Sequence, residues 1–76
     1  MARMEYYVLS HGGRWTVRHD GRDYHCNTQS EAIRDAVDAA HQAGRAGHDA
    51  QVLVQSHTGA WRTEWTYGHD PYPPRG

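Results

Sequence analysis

Residues 28–44 carry the chain's one helical repeat, and the apolar side of that repeat is nearly all alanine. Ala32, Ile33, Ala36, Val37, Ala40 and Ala43 recur at three- and four-residue spacing. Glu31, Arg34, Asp35, Asp38, His41 and Gln42 fall mostly on the other side, with Arg34 and Asp38 spaced as an i,i+4 ion pair. Thr28-Gln29-Ser30-Glu31 has the form of a capping box, in which Thr28 accepts from an early backbone N–H and Glu31 reaches back. Gly44 reads as the C-terminal stop, with Gly47 in the loop beyond. Alanine lets a helix lie close to its neighbour but contributes little apolar area per residue. Such a helix cannot fill a core alone, so strands must supply the bulk.

The strand signals flank the helix. Residues 5–10 (EYYVLS), 15–19 (WTVRH) and 22–26 (RDYHC) are separated by Gly12-Gly13 and Asp20-Gly21, both of the type that closes tight hairpins. After the helix come 51–56 (QVLVQS) and 61–67 (WRTEWTY). Alternation in the last predicts Trp61, Thr63, Trp65 and Tyr67 on one face, and Arg62, Glu64 and Thr66 on the other. The prolines of residues 68–76 exclude helix and central strand there, and predict an extended, polyproline-like tail. The expected fold class is α+β: one domain over 1–76, in the order β-β-β-α-β-β, with one helix on one face of a mostly antiparallel sheet. Residues 1–4 are expected to form a flexible N-terminus.

At 76 residues the chain holds one domain. A domain near this size buries only about 60% of the surface its unfolded chain exposes. Cys26 is the single cysteine, which suits a reducing compartment and provides no disulfide framework. The first residues show neither an apolar leader segment nor a cleavage site, and no run approaches the roughly 20 apolar residues of a bilayer span. A cytoplasmic location with no membrane partner is the expectation. Eight basic residues, all arginine and all scattered singly, face nine acidic ones. That balance argues against a protein that holds nucleic acid through phosphate contacts alone.

No constellation of catalytic or ligating residues emerges. The seven histidines lack metal-site spacing: there is no His-x3-His on the helix, no Cys-x2-Cys, and no finger-type Cys/His set. Cys26 lies close to the helix start, where a thiolate is favoured, but adjacent His25 points to the opposite side of the strand. A small residue packed under the helix accounts for Cys26 better than a nucleophile does. Ser10, Ser30 and Ser56 have no nucleophile-turn context, and Gly12-Gly13 is a hairpin and not a phosphate loop. The expectation is a non-enzymatic protein without cofactor or metal.

One helix covers one sheet face. Tyr7 and Leu9 are opposite in phase to Tyr6 and Val8, as Leu53 is to Val52 and Val54, so both faces carry apolar groups. Such a sheet points to self-association, and the expected interaction face comprises Tyr7, Leu9, Arg18, Arg62, Glu64 and Tyr72. The leading reading is a homodimeric binding or adaptor module with a protein partner of unknown identity. The alternative is a nucleic-acid binder that uses Arg18, Arg62 and nearby aromatic rings. The three tryptophans are better read as core under an alanine-rich helix than as a base-stacking platform. The tail is placed to cover the open sheet or reach a neighbouring subunit.

Tyr7-Val8, Trp15-Thr16-Val17, Thr28 with Glu31-Ala32-Ile33 and Ala36, Val52-Leu53-Val54, His57-Thr58-Gly59, and the ending Tyr67-Gly68-His69-Asp70-Pro71-Tyr72-Pro73-Pro74-Arg75-Gly76 stand out as segments. Together they resemble the bacterial family called Domain of Unknown Function 2188. The Thr-x-x-Glu-Ala-Ile segment and the ending are its specific parts, whereas Cys26 and most histidines match none of its motifs. The resemblance implies a small stand-alone bacterial or phage-borne protein and brings no established activity.

Overall fold

The computed structural model describes residues 3–74. Strands β1 (Met4–His11), β2 (Arg14–His19) and β3 (Arg22–Cys26) precede helix α1 (Gln29–Arg45), and β4 (Ala50–Gln55) and β5 (Trp61–Thr66) follow it. The sheet order is β3-β2-β1-β4-β5. The fold is thus α+β with the expected element order. Positive φ at Gly12 and Gly13 (61° and 78°) and at Asp20 and Gly21 (53° and 76°) gives both hairpins the twist that matches their strands. Helix α1 carries the chain back across the sheet, so β4 enters beside β1 in the same direction. β1–β4 is the one parallel pair in an otherwise antiparallel ladder.

Helix α1 covers one face. Ala32, Ala36, Val37 and Ala40 are buried against Tyr6, Val8, Val17, Val52, Val54 and Trp65, with Ile33, Ala43, Trp15 and Tyr67 packed around them. Trp65, 2% exposed, is the largest fully buried side chain. The sheet supplies the bulk that the alanines lack. At the helix start the Glu31 amide donates to Thr28 Oγ1 at 3.1 Å, and Glu31 Oε1 accepts from the Asn27 amide at 3.3 Å. The reach-back thus lands one residue before the cap.

Four expectations are corrected. Gly44 is not the stop: the helix runs on to Arg45 and closes at Ala46, with His48 N–H on Ala43 O and Gly47 N–H on Gly44 O. Gly44 instead sits where the Tyr67 ring lies against the helix, and a Cβ there would overlap the ring carbons. The tryptophans of β5 do not share a face. Val52 pairs with Trp65 but Leu53 with Thr63, so Glu64 is an extra residue, a bulge that turns Trp61 away from the helix.

The tail is also not extended. His69 and Asp70 N–H groups return to Thr66 O, Asp70 Oδ2 accepts from Thr66 N–H at 2.8 Å, and Pro71 O accepts from Trp65 Nε1–H at 2.9 Å. It is a strap that closes over the helix-side core, not a cover for the open face. Met4, expected in a loose terminus, opens β1 opposite Ala50, and its N–H reaches Asp49 O at 2.7 Å. Met1, Ala2, Arg75 and Gly76 lie outside the described residues.

Candidate functional site

Cross-strand partners share a face, so the register maps the side of the sheet that α1 leaves uncovered. One row runs Asp23, Arg18, Tyr7, Leu53, Thr63; the next holds His25, Thr16 and Leu9, with Trp61 beyond Gln55. The bulge carries Trp61 into this group. Its ring meets Tyr7 edge-on, centroids 5.2 Å apart at 74°, while remaining 43% exposed. Leu9 is buried although no helix lies over it, and Tyr7 and Leu53 are half-buried. An apolar cluster of Tyr7, Leu9, Leu53 and Trp61 therefore stands on the uncovered side.

Polar groups around the cluster are satisfied locally. Arg18 grips Asp23 with two hydrogen bonds, Nε–H to Oδ1 at 2.8 Å and an Nη2–H to Oδ2 at 3.0 Å. The guanidinium holds the Asp23 carboxyl below the usual carboxylate range. Tyr7 Oη donates to Glu5 Oε1 at 2.9 Å, and that bond, followed by burial, pushes the phenol's pKa up. Buried Thr16 has its Oγ1 3.2 Å from His25 Nδ1.

The six residues expected to form one interaction face are divided between two. Tyr7, Leu9 and Arg18 share the uncovered side. Arg62, opposite Val54, and Glu64 lie on the helix side, where they form an ion pair with each other. Tyr72 lies on that side too, its hydroxyl donating to Asp38 Oδ1 at 2.7 Å and its ring stacked on His41. Asp38, spaced to pair with Arg34, has this hydroxyl as its partner. The missed members of the cluster are Leu53 and Trp61. Leu53 was legible from its phase against Val52 and Val54; Trp61 was not, because the bulge leaves no mark in the alternation.

Cys26 donates its Sγ–H to Asp35 Oδ2 at 3.4 Å. Burial first, and then this carboxylate, push the thiol's pKa up, opposite to the helix-start effect expected from its position. The arrangement favours a protonated thiol. Among the described residues no three His, Cys, Asp or Glu side chains are grouped closely enough to hold a metal, and no helix is long and apolar enough to cross a membrane.

No curated protein and no solved structure matches the chain. A family model does match, over residues 6–67, and its description reads "Uncharacterized protein conserved in bacteria (DUF2188)". The match begins at the third residue of β1, runs through the other four strands and the helix, and ends before the strap, so the chain belongs to the DUF2188 family.

Proposed function

We propose that the protein is a non-enzymatic binding module that joins a second copy of itself through the uncovered sheet face. The observation that carries this reading is the bulge at Glu64. It places a large, exposed indole beside Tyr7, Leu9 and Leu53, on the side that the helix does not shield. On that face Arg18 and Asp23 neutralise each other, which removes one source of like-charge repulsion between two copies. Five strands about 4.8 Å apart and about six residues long span roughly 20 Å each way. Two such faces bury on the order of 1,000 Å², near the lower limit of a specific interface, which corresponds to a weak, reversible dimer.

The nucleic-acid alternative has less support. Arg18 and Arg62 lie on opposite faces, each beside a carboxylate, so one surface does not present both to a phosphate backbone.

Sedimentation equilibrium over a wide concentration range tests the proposal. A mass rising from monomer to dimer is expected, with Trp61→Ser shifting the curve toward monomer and leaving circular dichroism unchanged. A constant monomer mass, or a dimer insensitive to Trp61→Ser, would overturn it.

A further inference from the structure

A second surface lies on the helix side, away from the proposed dimer face. Between α1 and the β2–β3 hairpin runs a groove of about 420 Å³, lined by Tyr6, Val17, His19, Tyr24, Asp35 and Ala39. We propose that this groove binds an organic cation of the methylated-ammonium type.

Aromatic rings form much of the wall. Tyr6 and His19 are stacked, centroids 4.0 Å apart at 18°, and His19 Nδ1 lies 2.9 Å from Glu5 O. A carbonyl oxygen only accepts, so Nδ1 carries a proton. Tyr24 pairs with buried Val17 in the ladder yet is 55% exposed, a large ring left bare at the sheet edge. Val17 and Ala39 complete an apolar lining.

The charge in the groove is negative. Asp35, on the helix rim, accepts from the Cys26 thiol through Oδ2 at 3.4 Å. Among the described residues no cation stands within ion-pair distance of it; the two ion pairs are Arg18–Asp23 and Arg62–Glu64.

Aromatic rings, of which Tyr24 is the exposed one, apolar walls and a carboxylate without a cation partner favour a weakly hydrated cation. A cation over a tyrosine face is attracted by the ring quadrupole. A bare ammonium would give up tightly held water for few acceptors. A methylated one holds little water and fills the groove with methyl groups. An anion meets Asp35 and is repelled.

Titration of the whole protein with choline, followed by amide chemical shifts, tests the proposal. Saturable millimolar binding is expected, with shifts at Tyr24, His19 and Ala39. Tyr24→Leu and Asp35→Asn, both at exposed positions, should each weaken binding about three- to tenfold. The neutral isostere with carbon in place of nitrogen should bind about tenfold more weakly than choline. Equal affinity for the isostere, no saturable shift, or wild-type affinity in both variants would overturn the proposal. A trimethyl-lysine peptide run alongside identifies the source of the cation. Tighter binding than choline supports a protein-borne group, and equal binding supports a free small molecule.

Discussion

The imidazole of His41 lies flat against the phenol ring of Tyr72, centroids 3.7 Å apart and planes 4° from parallel. His41 also meets Trp65 and Tyr67, at 6.4 Å and 5.7 Å, so helix, last strand and tail converge on one aromatic cluster. The Tyr72 hydroxyl anchors the far side on Asp38, and the Pro71 carbonyl takes the Trp65 indole N–H. The strap therefore does what the alanine face cannot: it closes the flank of the core around Trp65.

Ending the chain after Gly68 removes both the stack and the acceptor for the Trp65 indole. A loss of about 2–3 kcal/mol is expected, from roughly 1 kcal/mol of aromatic contact and a part-buried donor left unpaired. Urea unfolding monitored by tryptophan fluorescence measures it. Tyr72→Phe, which keeps the ring and loses the bond to Asp38, should lower stability by less than the truncation does.

The two tryptophans of β5 should respond very differently to truncation. Trp65→Ala opens a cavity under the helix and is expected to cost about 3–5 kcal/mol, enough to unfold a marginal domain. Trp61→Ala, on the exposed side, should cost about 1 kcal/mol or less in the monomer. Thermal melts at low protein concentration check this, and equal losses would contradict the opposite facing of the two rings.

Gly44→Ala improves helix propensity by about 1 kcal/mol and should nonetheless destabilise. The added methyl meets the Tyr67 ring, with an expected net loss of about 1–3 kcal/mol. Adding Tyr67→Ala removes the obstruction. The double variant should then be more stable than the sum of the single losses predicts, a coupling that a double-mutant cycle reads directly.

Cys26 should alkylate slowly at neutral pH, because burial and Asp35 hold the thiol protonated. Asp35→Asn removes the carboxylate and should move the pH–rate curve to lower pH. The linkage has a definite sign. With the folded pKa above the unfolded one, the thiol's contribution is fully present below the unfolded thiol pKa and is lost as pH rises through the folded value. Urea midpoints on the alkaline side should fall, less steeply in Asp35→Asn.

The features legible in sequence were those whose cause is local. Gly12-Gly13 and Asp20-Gly21 specify their turns, Thr28 with Glu31 specifies the helix start, and the phase of Tyr7, Leu9 and Leu53 against their neighbours specifies that both sheet faces carry apolar groups. The bulge at Glu64 has no local signature, since W-R-T-E-W-T-Y alternates equally well with and without it. Gly44 reads as a terminator until the Tyr67 ring is known to lie against it. The strap depends on partners as far apart as Asp38 and Tyr72, separated by 34 residues, which no window along the chain brings together.

Strand β1 is synthesised before both of its neighbours in the sheet, and it comes to lie in the middle of the order. One of its edges is taken at once by β2, whereas the other waits for β4, which begins at Ala50. A nascent or cleaved product stopping short of that point presents an apolar edge, Tyr6 to Leu9, to any other extended chain nearby. Premature termination within the helix should therefore yield insoluble material and not a smaller folded unit.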